Sequence, residues 1–389
     1  MTPAARVQAA IELLDAIVDA ARTGGPAADS LVSAYFKARR YAGSKDRRAV
    51  RELVYRAIRR SGEPPLSGRV AMLGLAEDDA ELLGLFDGSA HGPAPPEPGE
   101  ARAPASPAPS WLGARIASSE IAALLERAPL DLRVNRLKGT RADALAQLPE
   151  AAPTPHSPIG LRLAEGSRVE DTDAWRTGLV EVQDEGSQLL SLACAAPPGT
   201  TVIDLCAGAG GKTLALAAEM GNEGRLIACD TDRARLSRMR PRLERAGVAI
   251  VETRLLNPNR ESEALADLAG RADLVLVDAP CSGTGTWRRN PETRWRLTPE
   301  RLDRLIGLQS HLLDLAAMLV APGGTLVYAV CSLLAEEGSG QAEAFTGRSA
   351  LIPEALDMAA GRPSGSGRIL SPAQDGTDGF FIARWRAPC

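Results

Sequence analysis

Apolar positions over the first 90 residues recur at helical spacing: Ala10, Ile11, Leu14, Ile17 and Val18, then Leu31 and Val32, then Val70 to Leu85. That periodicity predicts a small all-helical domain over residues 1–90. Residues 91–110, HGPAPPEPGEARAPASPAPS, carry no large apolar side chain and are rich in Pro and Ala, so they read as an extended linker. Residues 111–176 mix a helical stretch (Ile116 to Ala128), an apparent strand (Asp131 to Leu137), a helix from Arg141 and the apolar run IGLRL (159–163), the pattern of a small α+β module.

The texture changes from Leu179 onward, and residues 177–389 read as one Rossmann-like α/β domain. Short buried runs alternate with helices, the signature of a doubly wound parallel sheet. TVIDL (201–205) predicts a strand, CAGAGGK (206–212) a glycine turn and TLALAAEM (213–220) a helix. RLIACD (225–230) is a second strand, followed by a helix over 231–246 and a strand over 248–253. DLVLVD (273–278) ends, like the second strand, in an acid. A helix over 298–320 leads to PGGTLVYAVCS (322–332), and the alternating GFFIARWR (379–386) predicts an edge strand that closes the chain.

Composition narrows the class. The chain has 389 residues, 44% hydrophobic and 24% charged, ordinary for a folded globular protein and unlike a disordered one. No apolar run approaches the roughly 18 residues of a membrane helix. The first apolar stretch is broken by Glu12, Asp15 and Asp19, so no signal peptide is expected. Six cysteines (194, 206, 229, 281, 331 and 389) without CxxC or zinc spacing exclude a disulfide framework. They fit a cytoplasmic protein whose individual thiols can be chemical, and neither a metal nor a membrane is expected.

The glycine loop resembles phosphate-binding signatures and satisfies none. A P-loop needs a glycine where this chain has Cys206, and the dinucleotide fingerprint needs one where it has Thr213. What remains is a strand ending at Asp204, a glycine turn into a helix, and an acid, Asp230, at the end of the second strand. That arrangement suits S-adenosylmethionine: glycines let the backbone approach the methionine part, helix N–H groups face its carboxylate, and the second-strand acid can accept both ribose hydroxyls.

Two cysteines lie just past the carboxyl ends of two strands, where the chemistry of open parallel sheets collects. Cys281 follows the strand ending at Asp278, and Cys331 ends the strand through 330. Thiols there suit one problem in particular. Carbon 5 of a pyrimidine is a poor nucleophile until a thiolate adds to carbon 6. The carbon-5 proton must then leave and the thiol be eliminated, so a second acid or base is useful, and a carboxyl such as Asp278 can hydrogen-bond the N3/N4 edge. Chemistry alone does not say which thiol attacks. Asp-Pro-Pro followed by an aromatic, the mark of exocyclic-amine methylation, is absent.

QDEGS (183–187), the loop 206–212, DAPCSGTGTWRRNPETRW (278–295), Gln309 and LVYAVCSLLAEE (326–337) together resemble the Sun family of RNA cytosine-5 methyltransferases. The likeness extends to LRVNRLKGTR (132–141), similar to the family's small RNA-contacting module, and to DGFFIAR (378–384). Residues 1–90 resemble the NusB-like helical domain of the bacterial ribosomal small-subunit branch. The resemblance implies a Rossmann-like methyltransferase acting on 16S ribosomal RNA. It also implies Cys331 as the nucleophile, Cys281 as the group that helps release product, and Asp278 at both cofactor and base. Cys206, Ala207, Gly208, Ala209, Gly210, Gly211, Lys212 and Asp230 are implied to hold S-adenosylmethionine. The chain departs from the family at Val330, where Thr is usual, at Gly338, where Asn is usual, and at Asn257, the nearest match to an Asp beside the adenine.

A net charge of −4 conceals uneven distribution. Residues 35–60 hold ten basic side chains against two acidic ones, on two helical pieces broken near Gly43. Either a solvated helix face or a phosphate-binding surface accounts for it. In the second case Arg39, Arg40, Lys45, Arg47 and Arg48 would contact RNA. Trp287 to Arg304 carries six arginines among three acids with Trp287 and Trp295 interleaved. Arginine forks suit phosphates and indoles can stack on unpaired bases, so Arg288, Arg289 and Trp295 are RNA-binding candidates, with Arg133 and Lys138 from the small module. Carbon 6 is hidden in a duplex, so the target cytosine should be single-stranded or flipped out. A monomer is expected. The rival expectations are a non-catalytic RNA-binding assembly factor, which would have lost a thiol or the glycine loop, and a methyltransferase for tRNA or DNA cytosine.

Overall fold

The structure, a computed structural model, describes every residue except Glu165. The chain divides into two compact units. The first comprises Met1–Arg127 with Thr286–Pro299, and the second Ala128–Gly285 with Glu300–Cys389.

The first unit is built on helices α1 (Pro3–Thr23), α2 (Ala28–Ala38), α3 (Ser44–Arg60) and α4 (Gly68–Leu75). Thr2 caps α1 by accepting from the Ala5 N–H, and Gly24, at φ 76°, ends it. The predicted stripe of Ile11, Leu14, Ile17 and Val18 is buried. Helix α4 starts so close to α1 that a Cβ on Gly68 would stand 2.1 Å from the Ile11 carbonyl oxygen. The Gly68 N–H instead donates to Asp15 at 2.6 Å.

The Pro/Ala-rich stretch is not a free linker. It lies along the helices: the Ala103 N–H donates to the Val70 carbonyl and the Ser106 N–H to that of Arg60. Glu100 takes a bidentate pair from Arg69 at 2.5 and 2.9 Å. Ala103 and Ala108 are buried. Small side chains made this possible, because bulkier ones could not lie flat against α3 and α4.

The second unit contains two sheets. Strands β1 (Leu130–Val134), β2 (Ala152–Pro153), β3 (Gly160–Leu163) and β4 (Val180–Val182) form an antiparallel sheet in the order β2-β3-β1-β4. The small module therefore runs past its predicted end at 176, because β4 pairs with β1. The large sheet adds β5 (Thr201–Asp204), β6 (Arg225–Asp230), β7 (Val251–Leu255), β8 (Ala272–Asp278), β9 (Val320–Val330), β10 (Ile352–Pro353), β11 (Arg362–Ser364), β12 (Gly367–Leu370) and β13 (Phe380–Arg386). Its parallel core reads β7-β6-β5-β8-β9, and β13 joins β9 antiparallel. The strand order switches between β5 and β8, with β6 and β7 on one side and β8 and β9 on the other, so a crevice opens at their carboxyl ends.

Strand β13 is not the predicted edge: β12 and β10 pair along its far side. Its alternation was superficial, since Phe380, Phe381, Ile382, Ala383 and Trp385 are all buried and both faces are covered. The helix expected over 231–246 is two, Arg233–Ser237 and Met239–Ala246, with Pro241 in the first turn of the second, where its missing N–H costs nothing. Among the described residues no helix is long and apolar enough to cross a membrane, and no group of three or more His, Cys, Asp or Glu is placed to hold a metal ion.

Candidate active site

Four strand ends bring the predicted groups together. Beyond β5, the turn from Cys206 to Gly210 feeds the helix Gly211–Glu219. Gly208 and Gly210 have φ of 56° and 86°, conformations that L side chains resist. A Cβ at Gly208 would strike the Arg235 guanidinium and one at Gly210 the Met239 side chain, whereas Gly211 faces open space. The start of this helix, with its first-turn N–H groups, and the open space at Gly211 suit a carboxylate-bearing ligand.

Asp230, at the end of β6, is almost fully buried. It accepts the Gly208 N–H at 2.7 Å and the Asp232 N–H at 2.8 Å, which ties the glycine turn to the neighbouring strand. Asp204 is buried, accepts the Thr213 hydroxyl at 2.7 Å on one oxygen, and has no partner for the other among the described residues. Burial pushes its carboxyl up to about 7, opposed by that hydroxyl. Lys212 donates to Asp278 at 2.6 Å and lies 5.5 Å from the centre of the Phe380 ring. Burial disfavours its charge, but the Asp278 carboxylate outweighs that and the ammonium is held above its ordinary range. Lys212 thus points inward to the acid that precedes the Cys281 loop. Asn257 is exposed in the turn after β7, its carbonyl engaged by the Arg260 N–H.

The two thiols of Cys281 and Cys331 stand 3.3 Å apart. Both are partly exposed, whereas Cys194 and Cys229 are buried and pushed up to about 12, which makes them inert. The hydrogen bond to Cys331 and burial hold the Cys281 thiol well above its ordinary value. Cys206 is likewise raised by burial, so it serves the loop through its backbone.

A set of residues that had no assigned role ties these loops together. Ser282 and Ser332, each directly after a cysteine, are 3.1 Å apart through their hydroxyls, and Thr284 reaches Ser332 at 3.0 Å. The Gly285 N–H donates to the Cys331 carbonyl at 3.1 Å. Beneath them Glu337 accepts the Ser282 N–H at 2.8 Å and the Gln309 amide at 2.9 Å. The repeated Cys-Ser dipeptide was the signal for this set. Arg242, also unassigned, donates to the Ala209 carbonyl at 2.7 Å and to Glu181 of β4 at 3.2 Å.

Part of the expected RNA-binding set is not available for that role. Arg133 lies in mid-strand between β3 and β4, fully buried, with its Nε donating to Gln183 at 2.6 Å, and burial pushes its guanidinium down to about 10. Trp295 is 4% exposed in the core of the helical unit, and its indole N–H donates to the Ser61 carbonyl at 2.7 Å. Arg288 is 6% exposed. The reason is that residues 286–299 complete the helical unit. Arg294 donates to the Ile58 and Arg59 carbonyls at the end of α3, and Glu292 accepts the Ala28 N–H at the start of α2. Free helix-end groups took the place expected for phosphates. Arg40, Lys45, Arg47, Arg48 and Lys138 are exposed, Arg289 is half-buried, and Arg39 stacks on Tyr35 and pairs with Glu12.

A family model described as 16S rRNA methyltransferase RsmB/F matches residues 191–386. The chain belongs to the RsmB/F family. The ribosomal RNA small subunit methyltransferase B of Salmonella arizonae is 35% identical over 287 residues, covering 71% of this chain and 65% of that protein. Its counterpart in Salmonella typhi is 35% identical over 289 residues, with the same coverage. The chain thus spans just under two thirds of the length of these curated relatives. Among solved structures, the PH0851 protein is 25% identical with a TM-score of 0.78, covering 97% of this chain and 98% of its own. A methyltransferase homolog protein from Pyrococcus horikoshii is 30% identical with a TM-score of 0.62, covering 69% and 90%. The RsmB/F match includes the glycine loop and both cysteine loops.

Proposed function

We propose that this RsmB/F protein methylates carbon 5 of a cytosine in 16S ribosomal RNA in the cytoplasm, through a covalent bond between Cys331 and carbon 6. The observation that carries the reading is the pair of thiols 3.3 Å apart beside the Lys212–Asp278 ion pair, at the carboxyl ends of neighbouring strands. The family match and the two curated relatives support ribosomal RNA as substrate.

S-adenosylmethionine, when bound, supplies an electrophilic methyl group. The turn Cys206–Lys212 would receive its amino-acid end and Asp230 its ribose, with Asn257 near the adenine. Asp204, with one buried oxygen that has no partner among the described residues, fits a polar ligand at the same place. Asp278 hydrogen-bonds the N3/N4 edge of the cytosine. The Cys331 thiolate forms a bond to carbon 6, and the electron pair moves to carbon 5. After carbon 5 has gained its methyl, a base takes the carbon-5 proton and the bond to Cys331 breaks, restoring the ring. Cys281 assists this release by giving its proton to the Cys331 sulfur as it leaves. RNA reaches the site single-stranded or with the cytosine flipped out, and Arg39, Arg40, Lys45, Arg47, Arg48, Lys138 and Arg289 supply phosphate contacts.

Transfer of a tritiated methyl group to 16S RNA, to tRNA and to DNA tests the reading. Cys331→Ala is expected to lose turnover by on the order of 10⁴-fold or more, as loss of a nucleophile does elsewhere. Cys281→Ala is expected to accumulate protein–RNA adduct. Full turnover by Cys331→Ala overturns the assignment, and methylation of DNA alone overturns the substrate.

A further inference from the structure

The network beneath the two thiols centres on one acid. Glu337 is wholly buried. Its carboxyl oxygens receive the Ser282 N–H, the Ser282 hydroxyl and the Gln309 amide, all donors, which is the pattern of an ionised carboxylate. Gln309 also donates to the Pro280 carbonyl at 3.0 Å, so it grips the Cys281 loop from the other side. The Tyr328 hydroxyl holds the Glu337 carbonyl at 2.7 Å. A buried negative charge is thus fixed one residue from Cys281, and the Ser282–Ser332–Thr284 hydroxyls connect it to the residue after Cys331.

We propose that Glu337 is a positioning residue that keeps the proton of the thiol pair on Cys281 and so leaves Cys331 as the nucleophile. This rests on the assignment of the two thiols above. The two sulfurs are chemically equivalent and 3.3 Å apart, so only their surroundings can distinguish them. The groups acting on the pair are Glu337 and Tyr328 at Cys281, and the Lys212–Asp278 pair at Cys331. On the Cys281 side the Glu337 carboxylate has no cation against it among the described residues, whereas on the Cys331 side the Asp278 carboxylate is paired with the Lys212 ammonium, and that difference favours the thiolate on Cys331. The hydrogen bond to Cys331, burial and the Glu337 charge all raise the Cys281 thiol, opposed by the Gly283 N–H, and of these only Glu337 is a fixed charge outside the pair. A proton held on Cys281 within reach of Cys331 is also where product release needs it.

Labelling of the full chain with iodoacetamide, without RNA, from pH 6 to 10 and read site by site by mass spectrometry, tests the proposal. In the unaltered protein Cys331 should label ahead of Cys281 throughout. Glu337→Gln keeps the shape and removes the charge, and should narrow the gap by about tenfold, the effect of one pKa unit. Glu337→Asp keeps the charge and shortens the reach, so it should keep the order of labelling while slowing methyl transfer. Melting temperature and binding of S-adenosylhomocysteine establish that each variant is folded. Unchanged labelling in Glu337→Gln, or lost order in Glu337→Asp, overturns the proposal. If Glu337→Gln does not fold, Glu337→Asp decides it alone. If Cys331→Ala retained turnover, the methyl-transfer reading would fail while the labelling order still reported on Glu337.

Discussion

The strand-end site and the arginine segment 287–304 both drew attention in the sequence through their residue types, and the structure treats them differently. At the strand ends, Asp204, Asp230, Asp278, Cys281 and Cys331 are short side chains placed by parallel strands and tight turns. Their positions follow from the backbone. In 287–304 the side chains are long, and where a guanidinium lands depends on which carbonyls it can reach. Arg294 reaches the end of α3 and Trp295 the Ser61 carbonyl. A charged, aromatic stretch is therefore weak grounds for an RNA surface until its helix-end neighbours are known, whereas a thiol at a strand end is strong grounds for chemistry.

Substituting Trp295 should break the comparison most visibly. Filling a core, it should cost ~3–5 kcal/mol of stability in Trp295→Ala, the range for aromatic truncations. Urea unfolding checks this. A variant of unchanged stability but weakened RNA binding would return Trp295 to the RNA surface.

Asp204 sharpens the other side. Its folded-state pKa is raised from 3.8 to about 7, so the folded state holds a proton that the unfolded chain gives up. Its contribution is present below about 3.8 and is lost as pH rises through about 7. Asp204→Asn, which can still accept the Thr213 hydroxyl, should gain stability relative to the unaltered protein between pH 5 and pH 8. A difference that is flat across that window would contradict the buried, proton-holding carboxyl.

The smallest effect on stability belongs to the exposed arginines. Arg47→Ala and Arg48→Ala should each change stability by no more than about 0.5 kcal/mol. If each touches a single-stranded phosphate, each should lower the slope of log affinity against log salt by roughly 0.7. RNA binding titrated at several salt concentrations tests this, and an unchanged slope would make 35–60 a solvated face.

Much of the fold was legible because hydrophobic period reports burial directly. The α1 stripe, the break near Gly43 and strands β5, β6 and β8 fell where the pattern put them. The misses share a cause. The Pro/Ala stretch, the extension of the small sheet to β4 and the inner place of β13 all depend on partners distant in the chain. Pairing of β4 with β1, or of β12 with β13, has no local signature. The Ser282–Glu337 network left only the repeated Cys-Ser dipeptide as a trace, since Gln309 and Glu337 become notable only when three segments meet.

The sequence by itself determined the order of elements, the glycine turn that admits a ligand and the presence of two cysteines just past strand ends, because these follow from side-chain size, backbone freedom and periodicity along the chain. Only the tertiary structure decided that the two sulfurs stand within contact of each other, that Lys212 turns inward to Asp278, and that Arg133 and Trp295 are packing rather than RNA surface. Those outcomes depend on which distant polar groups remain unsatisfied once the core is formed, and a buried donor or acceptor takes the nearest partner that the fold brings to it.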